Sequence, residues 1–93
     1  MKVQKVIEEI KKRPAMFLGY NSISCLKSFI DGMFYISYEK IEDKDFLINF
    51  QSYVENKYAN FNHSWDRILL SNSNNEESAL NLFFDEMVMF QSQ

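Results

Sequence analysis

Two glycines and one proline are all that punctuate this 93-residue chain. Folds made of many tight turns need more such residues, so the chain is expected to run in long helical segments. Apolar residues recur at helical spacing, and no segment sustains a two-residue alternation. The expected class is all-α: a compact bundle of about five helices with little or no sheet. Nine Phe, five Tyr and one Trp supply unusually aromatic core material. Each aromatic can remove on the order of 150–250 Å² from water, which lets a short chain build a core.

The first helix carries Val3, Val6, Ile7 and Ile10 on one side, and Pro14 stops it. Lys11, Lys12 and Arg13 suit its negative end. Ala15 to Asn21 reads as an apolar connector in which Gly19 takes a turn conformation. Ser22 or Ser24 caps the second helix, whose stripe of Ile23, Leu26, Phe29, Ile30, Met33 and Phe34 is broadened by Tyr35, Ile36 and Tyr38. So wide a stripe predicts a central helix, with Gly32 permitting a close helix crossing. Ile41 to Asp45 reads as a charged connector, with Asp43 or Asp45 capping a third helix of Phe46, Leu47, Phe50, Tyr53, Val54 and Tyr58. A shorter helix follows from about Ser64, with Trp65, Ile68 and Leu69 inward. Ser73 with Glu76, and Asn74 with Glu77, have capping-box spacing before the last helix. That helix turns Leu80, Phe83, Phe84, Met87, Val88 and Phe90 inward, and Asp85 and Glu86 outward.

One domain, residues 1–93, accounts for the length. The single cysteine, Cys25, forbids an internal disulfide and fits a reducing compartment. Residues 1–13 have no apolar signal core, and no apolar run is long enough to span a bilayer. The expected location is cytoplasmic, with no membrane partner. The net charge of −3 is uneven: residues 1–13 carry five basic and two acidic groups, residues 39–93 four basic and ten acidic. An acidic surface repels phosphate, so direct nucleic-acid binding is not expected. It attracts a basic protein.

Enzyme chemistry finds little material. One His and one Cys do not make a metal site. Cys25 reads as a small buried hydrophobe and His63 as a loop or capping residue; a Cys25–His63 nucleophile pair is the enzymatic alternative. Two glycines do not make a phosphate loop. Glu8–Glu9, Glu42–Asp43, Glu76–Glu77 and Asp85–Glu86 read as solvated faces or helix starts. No catalytic residue, metal or cofactor is expected. Fifteen aromatics exceed what one small core hides, and tyrosines near acidic groups, as at Tyr38–Glu39 and Tyr53 with Glu55, point to a protein interface.

The segment Lys12-Arg13-Pro14-Ala15-Met16-Phe17-Leu18-Gly19 resembles a stretch of the gyrase B ATPase, but that likeness ends at Gly19. A second resemblance spans nearly the whole chain. Small bacterial proteins of uncharacterised or immunity type share an opening helix, an Arg-Pro-(Ala/Gly)-Met-(Tyr/Phe)-(Leu/Ile)-Gly segment, Ser-Ile and a Phe-Ile-x-Gly helix. Here these are Arg13 to Gly19, Ser22-Ile23 and Phe29 to Gly32. A Phe-rich helix, a Ser-Trp pair and an acidic loop before an Ala-Leu-x-x-Phe-Phe helix are matched by Phe46 to Tyr58, Ser64-Trp65 and Glu76 to Phe84. The chain thus resembles immunity proteins of polymorphic toxin systems, including contact-dependent growth inhibition. The resemblance implies neutralisation of a cognate basic toxin, often a nuclease, by tight binding that occludes its active site or substrate groove. The expected contact residues are Tyr38, Glu39, Glu42, Asp43, Asp45 and Glu55, then Glu76 and Glu77. The alternative is a regulatory adaptor or weakly homodimeric interaction module.

Overall fold

Hydrophobic spacing becomes six α-helices and no strand in a computed structural model that describes residues 1–93. The helices are α1 (Val3–Lys12), α2 (Pro14–Leu18), α3 (Ile23–Ser37), α4 (Phe46–Tyr58), α5 (Trp65–Ser71) and α6 (Glu76–Gln91), with a 3-10 turn at Tyr38–Lys40. All but α2 are long enough to match the five expected helices. The sixth lies where an irregular connector was expected. Pro14 explains it: Pro14 ends α1 but also starts α2, because its fixed φ and missing N–H suit a first helical position. Gly19 then closes α2 with φ of 82°, a conformation that disfavours a Cβ.

The centre of the core belongs to α6 rather than α3. Phe83 of α6 and Phe50 of α4 are fully buried and meet edge to face, ring centres 5.4 Å apart. Around Phe50 stand Trp65, Phe90 and Tyr53 at 6.1, 5.4 and 6.0 Å. Offset and edge-on aromatic pairs of this kind add to the stabilisation from burial alone. α1 contributes Val3, Ile7 and Ile10, and α5 contributes Trp65, Ile68 and Leu69. Ile41 is also buried, so the charged connector is anchored by its one aliphatic residue.

α3 departs from expectation. It buries only Ile23, Leu26 and Ile30, leaving Phe29, Tyr35 and Ile36 exposed. A helix has one side to give to so small a core, and Tyr35 and Ile36 point away from the Leu26–Ile30 side. Apart from its own turn of helix, nothing in the chain would lie within 4 Å of a Cβ at Gly32, so no other helix of this protein crosses closely there.

Two carboxylates expected to cap the helices that follow them bind the starts of other helices instead. Asp43 accepts hydrogen bonds from the backbone N–H groups of Val3 (2.7 Å) and Gln4 (3.1 Å), capping α1. Asp45 occupies the cap position of α4 without a side-chain capping bond. Ser22 caps α3 through Cys25 N–H at 3.1 Å, as expected. The cap of α6 is Asn75, which accepts from Ser78 N–H at 2.8 Å. Glu76 is thereby freed from a capping box and binds the start of α3. It accepts from Ser24 N–H at 2.9 Å and from the hydroxyls of Ser22 and Ser24, each at 2.8 Å.

Candidate protein-binding surface

The titratable groups divide into those occupied inside the fold and those left free. Glu86 is the most enclosed of the carboxylates, with 3% of its side chain exposed. The expectation that it faces solvent is corrected: helix α6 presents two sides to the core, and Glu86 falls on the one covered by α4. It pairs with Lys57 Nζ at 2.6 Å and accepts hydrogen bonds from Tyr53 Oη at 2.9 Å and from Tyr58 Oη. Burial pushes its carboxyl upward, but the Lys57, Tyr58 and Tyr53 donors and the Lys57 charge outweigh that and hold it below the ordinary range. Burial and the hydrogen bond to Glu86 push the Tyr58 hydroxyl well above its ordinary value, and Tyr53 moves up for the same reasons. The carboxylate is ionised and every buried side-chain polar atom has a partner, so this cluster holds α4 to α6.

The eight residues named from sequence separate accordingly. Asp43 and Glu76 are the caps of α1 and α3. Hydrogen bonds from Ser24 N–H and the Ser24 and Ser22 hydroxyls, opposed by slight burial, hold Glu76 below the ordinary carboxylate range. Glu42 is exposed but pairs with the Met1 amine at 2.8 Å, which lowers its pKa. Glu55 is half-buried and accepts from Gln51 Nε2 at 3.1 Å. Tyr38, Glu39, Asp45 and Glu77 are exposed. Glu77 shares an open recess of about 610 Å³ with Tyr20, Cys25 and Glu76. His63 is not part of that recess; it is exposed in the α4–α5 loop, with Nδ1 3.3 Å from Asn60 Oδ1. Cys25 therefore has no histidine beside it. No group of three or more His, Cys, Asp or Glu is placed to hold a metal ion.

What sequence reasoning missed is the apolar ground between these acids. A groove of about 400 Å³ runs between α3 and α4, floored by Ile30, Leu47, Phe34 and Trp65, with Ile48 on its α4 wall and the Lys27–Asp31 pair on its α3 wall. Ile48 is 63% exposed. Phe34 continues the floor to Tyr38, ring centres 6.4 Å apart, and Lys44 Nζ lies 4.9 Å over the Tyr38 ring. Tyr35 stands one turn beyond Asp31 and is 90% exposed. Glu39 follows on the next turn with no intramolecular partner among its hydrogen bonds or ion pairs. Gln51 fixes the floor: its Oε1 accepts from Trp65 N–H at 2.6 Å and its Nε2 donates to His63 O at 2.9 Å. The groove thus has an apolar centre and a partly charged edge.

The fold thus defines an all-α, six-helix domain, none of whose helices is long and apolar enough to cross a membrane. No protein-family model, curated protein or solved structure matches the chain.

Proposed function

We propose that this chain is a protein-binding domain of the immunity type, which captures a basic protein toxin and covers its active site or substrate groove. The observation that carries the reading is the α3–α4 groove with its exposed rim of Asp31, Tyr35, Tyr38, Glu39 and Ile48. Ile48 and the two tyrosines supply apolar and aromatic anchors at low entropic cost. Glu39, which has no partner inside the fold, supplies charge that steers a basic partner toward the groove. The resemblance around Arg13 to Gly19 and Ser22 to Gly32 supports the immunity class, and the acidic balance of residues 39–93 supports a basic partner such as a nuclease. The proposal needs no cofactor and no catalytic group.

Co-expression with the product of the adjacent gene tests it. A stable complex, with growth arrest relieved by this chain, supports the reading. Ile48→Asp and Tyr38→Ala should then weaken the complex at least tenfold, and Glu39→Lys should slow association at low salt. No complex and no toxicity of the adjacent product sink the immunity reading and favour the self-associating module.

A further inference from the structure

Between Glu9 and Asp31 the chain carries no acidic residue, although it is acidic overall at −3. That stretch holds Lys11, Lys12, Arg13 and Lys27. Lys27 pairs with Asp31 and Lys12 with Glu9, whereas Lys11 and Arg13 have no ion pair inside the fold. Lys11, Lys12 and Arg13 are all exposed. The first two suit the C-terminal end of α1, which accounts for their charge but not for the apolar residues that follow. Helix α2 buries none of its five residues, and only its Leu18 packs against the core. Met16 is 63% and Tyr20 75% exposed, and Phe17 is exposed as well. The Arg13 carbonyl accepts from the N–H groups of Met16 at 3.2 Å and Phe17 at 3.4 Å, so the cation stands within one turn of both. Tyr20 borders the recess that holds Glu77, so the cationic end of this ridge is the end at Lys11 to Arg13.

We propose that α2 and the Lys11–Arg13 run form a docking surface for an anionic lipid bilayer, on which the domain rests with Met16 and Phe17 in the headgroup region. The charge of the ridge selects an anionic partner. Met16, Phe17 and Tyr20 expose on the order of 400 Å², half of what one side of a standard protein interface buries. That area is small for a protein partner. A bilayer sets no such minimum: its interface yields around single side chains, and binding scales with apolar area plus the attraction of each cation to anionic headgroups. No helix is long and apolar enough to cross the bilayer, so the contact is with its surface. Two weak signals, one apolar and one cationic, make the binding reversible. The ridge shares no residue with the α3–α4 groove, so it does not depend on the function proposed above.

Co-sedimentation of the full chain with vesicles tests this, using phosphatidylcholine alone and an equimolar mixture of phosphatidylcholine and phosphatidylglycerol. At low salt the chain should bind the mixed vesicles about tenfold or more tightly than the neutral ones, and added salt should weaken that binding. Lys11→Gln with Arg13→Gln should weaken it about twentyfold, because each cation near an anionic surface strengthens binding about fivefold. Met16→Ser with Phe17→Ser, which leaves the charge alone, should weaken it about tenfold or more, and Ile48→Ser in the groove should not change it. None of these residues is buried, so the Tm of each variant should stay within a few degrees of the parent. Phe17→Trp should show a blue shift of the introduced indole's emission on mixed vesicles. A chain that does not bind mixed vesicles at low salt overturns the proposal. So does binding that is indifferent to the paired serine changes and gives no blue shift, since that is a charge-only contact of the kind an acidic protein would also make.

Discussion

Helices α3 and α6 are nearly equal in length, fifteen and sixteen residues, and comparably rich in Phe, Ile, Leu and Met, yet they are used differently. α6 buries six residues on two sides, against α4, α5 and α3, and even its buried carboxylate is fully partnered. α3 buries three, and leaves Phe29, Tyr35 and Ile36 in water. The difference separates apolar residues that make the fold from apolar residues the fold does not need. Exposed large hydrophobics concentrate around α2 and α3, from Met16 to Tyr38, where folding gains little from them. Single exposed hydrophobics are ordinary, whereas contiguous exposed patches on proteins commonly serve contact.

The sharpest way to break the comparison is to truncate one residue from each helix. Phe83→Ala should cost about 3–5 kcal/mol, since Phe83 is fully buried among aromatic rings. Ile36→Ala should lie within about 0.5 kcal/mol of the parent. Urea denaturation of the two variants decides it. An Ile36→Ala cost above about 1.5 kcal/mol would mean that α3 is held by its exposed flank, and the contrast would collapse.

Next in size comes the polar seal between α4 and α6. Glu86→Ala should destabilise by about 2–4 kcal/mol, because it strands Lys57, Tyr53 and Tyr58 in a half-buried site with no acceptor. The same group sets an acid limit. Its folded pKa lies below the unfolded value, as does that of Glu76, so each contributes stability that is complete above the unfolded carboxylate range and is lost as pH falls through the folded pKa. Stability should be level from neutrality to about pH 5 and decline below it. Glu86→Gln should begin from a lower plateau and decline less steeply. An identical acid slope in parent and variant would remove Glu86 from the account.

A smaller effect is expected at the cap that joins the two helices. Glu76→Ala should cost about 1–2 kcal/mol, since it removes three hydrogen bonds at the start of α3 from a partly exposed site. If hydrogen exchange then rises first at Cys25 and Leu26 rather than along α6, the carboxylate acts on α3. Uniform acceleration across both helices would mean that its role is not local.

The helices were legible because local signals create them: Pro14 at a boundary, Ser22 at a cap, and i, i+3, i+4 apolar spacing in α1, α4 and α5. Which helix takes the centre was not. The stripe of α3 reads as wider than that of α6, and only packing reveals that α4 and α5 close around Phe83 instead. Carboxylate roles were the least legible. Glu86 and Asp85 are adjacent acids in one helix, and Asp43 caps a helix 40 residues upstream. Spacing detects an acid that caps its own helix but carries no information about one that caps another. Of the eight contact residues named from sequence, Asp43 and Glu76 therefore have full structural employment, while the groove beside Tyr38 and Glu39 depends on Ile48 and Asp31, which no local pattern singles out.

The smallest effects test whether the carboxylates truly fall into two sets. Asp43→Ala should cost about 1 kcal/mol, the worth of a helix cap, and free the first turn of α1. Glu39→Ala and Glu77→Ala should each stay within about 0.5 kcal/mol, because neither side chain has a partner inside the fold. Thermal denaturation of the three variants at one pH and salt concentration is sufficient. If Glu39→Ala and Glu77→Ala are neutral, any loss of partner binding they cause is a loss of contact and not of folding. If Asp43→Ala is also neutral, the 40-residue cap contributes nothing in solution, and Asp43 returns to the set of acids free to meet a partner.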